Sequence, residues 1–475
     1  MALGLIHRGV RVTVYERANT LPEIGAGMAF TAVAQDCMRR LSPRIIAAFE
    51  RVGSPNEHPQ NRYWDGFHPE SKEQAQAPES LLFQMSTYDM GYWTCLRAAF
   101  LEELNGELPE GVLKFGKCLE SYTDDETKTK VVLRFGDGSE AQADAVIGCD
   151  GLRSRTRQLM LGESNPASYP RYSHKVAYRA VVPITAAIAA LGEDRGRNQC
   201  LQMGPKAHIM TYPLANFTLT NLAVFVTDPK PWPDPKRLTA PATRQEVVDA
   251  FADWSPPARE MIDLLPESLT KWALYDMYED PATEYCRGRV CLAGDAAHAS
   301  SPHHGAGAGM GVEDCLAIVT ALETARTNLQ GAKRFHPSLK FAAIKVAFEV
   351  YNAVCYERSQ WQVRSARETG DIYQWAYSGS GSDPLRCKAE IEARTKKIWD
   401  FSVEEMVRQV HSQCKPPLRT EDRMRKRMIR LIDLQEVQEV LEVPVLCWRG
   451  CLGLSVSRDP PLSQLGAFEL LLVDN

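Results

Sequence analysis

The stretch RVCLAGDAAHASSPHHGAGAGMGVEDCLAIVTAL, residues 289–322, constrains the fold more than any other part of the chain. Val290 to Ala293 read as a buried strand and Gly294 as a tight turn, which leaves Asp295 at the strand's carboxyl end, where open α/β sheets hold ligands. Glycines 305, 307, 309 and 311 then let the backbone come close to a ligand before a helix begins near Met310. A helix N-terminus stabilises negative charge through its free N–H groups and its dipole.

The N-terminal segment MALGLIHRGVRVTVYER carries the complementary half of that architecture. Ala2 to His7 read as the last turns of a helix, Gly9 as its stop, and Val10, Val12 and Val14 as a buried strand ending at Glu16. That is the second half of a dinucleotide-binding β-α-β unit, in which an acidic residue binds a ribose about 20 residues beyond a glycine-rich turn. The alternative for Glu16 is a residue that ends a strand and faces water. The spacing puts the glycine-rich turn ahead of Met1. The sheet is therefore expected to lack its first, central strand, leaving the neighbouring strands with unpaired backbone groups; a recorded start that is too late, or a damaged copy, would produce this.

Bulk properties narrow the partners. With 475 residues, 44% hydrophobic and 24% charged, the chain can bury a large core, and its formal net charge of −5 gives no attraction to nucleic acid or an anionic membrane surface. Thirteen cysteines with no C-x-x-C pair and no secretory leader argue for reduced thiols in a cytoplasmic protein. No apolar run is long enough to span a bilayer.

Along the chain, residues 1–165 read as the first part of a cofactor-binding domain. Within it, 54–78 looks like loop with at most a short hairpin around Arg62 to Phe67, and FGDGSE is an Asp-Gly hairpin turn. Residues 166–284 alternate as strands of an antiparallel sheet with helical cover, and the dinucleotide-type pattern resumes over 285–412. The segment 413–475, a charged helix followed by an irregular end, has no role legible in its residues.

The motif G-D-A-A-H followed by proline and G-A-G-A-G resembles the second flavin fingerprint of FAD-dependent aromatic hydroxylases of the salicylate hydroxylase and para-hydroxybenzoate hydroxylase type. Further matches are DAVIGCDGLRSRTR around Asp150, Glu16 followed by EIGAGMAF, and Arg97 at a helix start; IWDFSVEEM looks like the family's last helix. The resemblance spans roughly residues 2–405. It implies an α/β fold: an FAD/NAD(P)-binding Rossmann-like sheet, truncated at its first strand, with an inserted antiparallel-sheet substrate domain. It also implies FAD as cofactor, NADPH or NADH as co-substrate, O2, and a small aromatic substrate. Carried over residue by residue, Glu16 would meet the adenosine ribose, Arg97 the phosphates, Asp150 the pyrophosphate region and Asp295 the ribityl chain. Gly27 and Ala29 would line the flavin, and Ala308 would stand at the helix start beside the pyrimidine ring.

Within the family the chain leans toward fungal enzymes of secondary metabolism that hydroxylate phenolic polyketides. There an arginine and a tyrosine on neighbouring strands stabilise a phenolate, and Arg179 in VAYRAVVP and Tyr212 in IMTYPL stand in equivalent-looking places. The alternative for this pair is an arginine snorkelling at a sheet edge and a tyrosine packed beneath the sheet. His298, His303 and His304 lack the spacing and the carboxylate neighbours of metal ligands, so no metal is expected. Two other functional classes stay open: a flavin oxidoreductase that does not hydroxylate, and an inactive remnant. The sequence leaves the oligomeric state undetermined.

Overall fold

The computed structural model describes residues 1–20, 27–55, 60–86, 93–234, 237–330, 337–414, 445–446 and 468–473. The loop portion EIGA of EIGAGMAF and the charged segment predicted as a helix after Ser412 lie largely outside them. Among the described residues, no helix is long and apolar enough to cross a membrane.

Two sheets organise the molecule. The first has six strands, and its core is parallel. Val10–Tyr15 follows helix Ala2–His7 through Gly9, whose φ of +70° is the left-handed conformation that ends a helix cheaply only at glycine. Val146–Gly148 pairs in parallel with Val290–Leu292, Val146 opposite Val290 and Gly148 opposite Leu292. All six of these residues are buried, the continuous apolar pattern of a parallel sheet covered on both faces. The cover comes from Ala2–His7, Ala32–Leu41, the long helix Gly307–Gln330 and the longer Pro337–Tyr373.

The expectation that Val10–Tyr15 and Val146–Gly148 would lack a partner between them is not met. Phe468–Val473 runs parallel to the first of these strands from Val10 opposite Phe468 to Tyr15 opposite Val473, and Leu471 stands opposite Val146 of the second. Val445–Leu446 pairs with the same neighbours. A strand in that slot satisfies backbone groups that would otherwise be buried unpaired at about 1–3 kcal/mol each. The C-terminal segment, which seemed to have no role, thus supplies part of the sheet.

The second sheet has eight strands in the order Thr239–Thr243, Ser268–Asp276, Arg171–Pro183, Leu219–Thr227, Ala207–Leu214, Cys200–Gly204, Gln60–Asp65 and Leu81–Ser86. Its pairings are antiparallel except one: Cys200–Gly204 runs parallel to Gln60–Asp65, Cys200 opposite Arg62. Region 54–78, read from sequence as loop with at most a short hairpin, therefore contributes a full strand to this sheet, and Leu81–Ser86 forms its edge. The alternation of side chains sorts the sheet's two faces. Val176, Tyr178, Ile209, Leu222 and Val224 pack on Phe251, Trp254 and Met261 of the helical cover. Residues 179, 208, 210, 212, 221, 223 and 225 instead face the cofactor half across a cavity.

Candidate active site

The cavity between the two sheets has a volume of about 300 Å³. Six of the sequence-predicted residues share its wall: Gly27, Ala29, Arg179, Tyr212, Asp295 and Ala308. The first two belong to Gly27–Phe30, which pairs antiparallel with Trp93–Leu96, and the helix that starts at Arg97 follows directly. Gly27 leaves room for the substrate sheet: a Cβ there would stand 2.5 Å from the Tyr212 hydroxyl.

Asp295 follows Gly294, whose φ is +60°, and its side chain is exposed into the cavity. Loss of bulk solvent raises its carboxyl above the ordinary aspartate value, against the attraction of His298, Arg157 and Arg97. The turn is braced from behind by Asp314, which accepts the Gly294 N–H at 2.8 Å and lies 2.6 Å from His298 Nε2. With Asp314 raising it and burial opposing, His298 ends above the usual histidine range.

Arg157, fully buried, ties the two cofactor motifs together: it donates to the carbonyls of Leu152 and Ser168 on one side and of Asp295 and Ala296 on the other. Burial lowers its pKa to about 10, so it keeps its charge at neutral pH. In the motif DAVIGCDGLRSRTR, Arg157 is only the last of three closely spaced arginines; its burial and its four carbonyl partners are visible only in the structure.

Three predicted residues stand outside the cavity wall. Glu16 is 2% exposed at the tip of its strand, where its carboxylate accepts the Ala18 N–H at 2.7 Å. Arg97 heads its helix close enough to influence Asp295. Asp150 is fully buried and its carboxylate is occupied by Ser154 and by the N–H and hydroxyl of Thr156, so it fixes the turn into helix Arg155–Leu161.

Arg179 and Tyr212 share one face of the substrate sheet. Arg179 lies opposite Ala223, Ala223 opposite Met210, and Tyr212 two residues further along that strand opposite Asn221. The pair is electrostatically coupled: desolvation pushes the guanidinium down and the phenol up, and each opposes the other's shift. Arg179 also sits 5.8 Å from the centre of the Trp272 ring.

Sequence reading missed His208, Met210 and Phe225 on the same wall, although the period-2 alternation of HIMTYPL puts His208 and Met210 beside Tyr212. The three histidines of the Gly/Pro-rich loop diverge. His298 meets Asp314, His303 meets Ser301, and His304 Nε2 lies 2.8 Å from the Ser365 hydroxyl.

Burial, with Arg394 nearby, lowers the His304 pKa to about 3. A histidine neutral when folded and ordinary when unfolded contributes stability above pH 6.5 that is lost as pH falls toward 3, because the unfolded chain takes up the proton first. Between pH 7.5 and 5 this amounts to about 2 kcal/mol. Denaturant titrations of His304→Gln should show a pH-linked stability loss smaller than wild type by that amount; equal losses would contradict it.

Residues 1–333 match the family described as FAD binding domain. An FAD-dependent monooxygenase of Aspergillus terreus is 47% identical over 406 residues, covering 86% of this chain and 92% of that protein. The FAD-dependent monooxygenase pigN of Monascus ruber is 46% identical over 86% of this chain and 92% of its own length. Salicylate hydroxylase asL1 of Sarocladium schorii is 41% identical, with 87% and 88% covered. Among solved structures, a salicylate hydroxylase substrate complex superposes with a TM-score of 0.71 at 27% identity, covering 87% of this chain and all of that one.

Proposed function

The chain belongs to the FAD binding domain family and is an FAD-dependent monooxygenase; from that premise we propose that it hydroxylates a phenolic ring, in keeping with a polyketide intermediate, using NADPH or NADH and O2. The observation that carries this reading is the opposition, across one cavity, of Arg179 and Tyr212 to Asp295 and Ala308.

The residues fit a flavin. Glu16 and Asp295 follow the carboxyl ends of parallel strands separated by three strand spacings, about 14 Å, a span suited to an extended dinucleotide. Glu16 would bind the adenosine ribose and Arg97 the phosphates. The turn that Asp150 stabilises would offer backbone to the pyrophosphate, and Asp295 would take the ribityl hydroxyls. The start of helix Gly307–Gln330 would place its dipole at the pyrimidine ring, with Gly27 and Ala29 lining the opposite side. When bound and reduced, FAD supplies the chemistry that activates O2 for transfer of one oxygen atom to an aromatic carbon.

The protein's own task is to make that carbon electron-rich. Arg179 holds its positive charge against the substrate's phenolic oxygen and Tyr212 Oη donates a hydrogen bond to it, so the ring reacts as the phenolate, and the surrounding sheets exclude water.

The test is a panel of phenols supplied to the flavoprotein with NAD(P)H under ¹⁸O2. The expected result is phenol-stimulated NAD(P)H oxidation and one ¹⁸O atom in the product. Phenols that accelerate NAD(P)H oxidation but leave the panel unhydroxylated would point instead to a non-hydroxylating oxidoreductase.

A further inference from the structure

Two adjacent acids on helix Gly307–Gln330 hold different parts of the molecule. Glu313 pairs with Arg358 at 2.7 Å, and Asp314 reaches back to the Asp295 turn. One oxygen of Asp314, Oδ2, accepts the Gly294 N–H and also meets His298 Nε2, so a single atom joins the strand end, the short helix Asp295–His298 and the long helix. Both partners are buried, Asp314 2% and His298 1% exposed. The Tyr285 ring centre stands 5.8 Å from that of the imidazole, and its hydroxyl is engaged by Ser359 and Gln360.

The charges around this point cancel in pairs. Arg358 meets Glu313, and the imidazolium of His298 meets Asp314. Asp314, Asp295 and the histidine's own backbone carbonyl all favour the protonated ring against the burial that opposes it. Of the charges that act on the Asp295 carboxyl, His298 is the strongest, so its charge is felt at the cavity wall. Asp314 lies six residues along the helix from Ala308 of that wall, about 9 Å at the rise of an α-helix.

A carboxylate left unpaired at that distance would oppose any negative charge formed in the cavity, and in a protein interior the effect on an equilibrium is roughly tenfold. A flavin gains negative charge when it is reduced. We propose that His298 and Asp314 are a positioning pair: they lock the Asp295 turn to the start of helix Gly307–Gln330, and as a neutral ion pair they keep Asp314 from opposing reduction of the flavin. This rests on the flavin placement proposed above and adds what fixes the flavin and what sets its potential.

The test uses the flavin-loaded protein and two readouts: the dissociation constant of oxidised FAD, from flavin fluorescence on dilution, and the midpoint potential, from dye-equilibrated reduction. Asp314→Ala, which takes the acceptor from both Gly294 and His298, should weaken oxidised FAD about tenfold, whereas Asp314→Asn, which keeps an acceptor for Gly294, should lose little. His298→Gln leaves the Asp314 carboxylate without its cation. It should shift the balance of affinities about tenfold against reduced flavin, a fall of about 30 mV for a two-electron couple. The double variant His298→Gln/Asp314→Asn removes both charges and should return the potential toward that of wild type. A purely structural role would weaken both forms of flavin together and leave the potential unmoved.

A wild-type potential in His298→Gln, a double variant whose potential stays as low as that of the single one, or unweakened FAD binding by Asp314→Ala overturns the proposal. If His298→Gln loses its flavin on purification, a double variant that retains flavin supports the proposal and one that does not overturns it. Asp295→Ala is the control for the underlying placement. If it weakens FAD while Asp314→Ala and His298→Gln change nothing, only this inference fails; if Asp295→Ala leaves FAD binding at the wild-type value, the placement of Asp295 at the ribityl chain fails with it.

Discussion

Replacing Arg179 with alanine should lower the rate of product formation by about 10²- to 10³-fold, the size of effect seen when a preorganised group that stabilises developing charge is removed. Flavin content should stay normal, because Arg179 sits on the substrate sheet opposite Ala223 and away from the motifs that would hold the cofactor. Tyr212→Phe, which removes one hydrogen-bond donor and keeps the ring, should cost nearer tenfold. Lysine at 179 should recover only part of the loss, since an ammonium lacks the planar fork and the stacking that hold a guanidinium over Trp272. Rapid-quench measurement of hydroxylated product, alongside the rate of NAD(P)H oxidation, separates loss of hydroxylation from loss of flavin reduction. Unchanged hydroxylation by Arg179→Ala would remove this pair from the mechanism.

The second large effect is expected at a residue that lines no cavity. Arg157→Met fills much of the same volume but strips four carbonyls, those of Leu152, Ser168, Asp295 and Ala296, of their donor, two in buried and two in part-buried contacts. At about 1 kcal/mol or more for each orphaned acceptor, the loss should be about 3–5 kcal/mol. In a chain of this size that is a drop in melting temperature of about 3–5 °C. Because two of those carbonyls belong to the Asp295 turn, flavin should dissociate more readily before global unfolding. Thermal melts followed by flavin fluorescence and by far-UV circular dichroism should therefore separate in the variant and coincide in wild type. Coincident, unshifted transitions would show that Arg157 is not the clamp.

How much of this was legible in the residues depended on how far backbone requirements dictate residue identity. Gly9, Gly294 and Gly305 take positive φ, and the valines of Val10–Tyr15 are buried on a covered sheet, so both ends of the cofactor half could be read directly. Arg179 and Tyr212 were readable through resemblance, and the register of their strands puts them on one wall.

Gln60–Asp65 was obscured by the Pro- and Gln-rich composition around it, and by a parallel pairing to Cys200–Gly204 that no local turn announces. The local bonds of the Asp150 carboxylate were hidden for a different reason. An Asp-Gly turn after a strand signals an exposed carboxylate as readily as one consumed by Ser154 and Thr156, and only the three-dimensional arrangement distinguishes them. His208 was available from simple alternation, but a lone histidine in an apolar strand carries no signal until a cavity is seen beside it.

Phe468–Val473 escaped notice because a short run of five apolar residues interrupted by Glu469 fits a strand or a buried helix segment equally well, and its partners lie at the opposite end of the sequence. That separation bears on how the protein is made. Val10 emerges from the ribosome long before Phe468, so the cofactor half must wait with an open gap in its sheet through most of synthesis, while the substrate sheet, whose strands lie between, can close first. Nascent chains of this protein should accordingly depend on chaperone protection of that gap, and should capture flavin only after translation of the final strand.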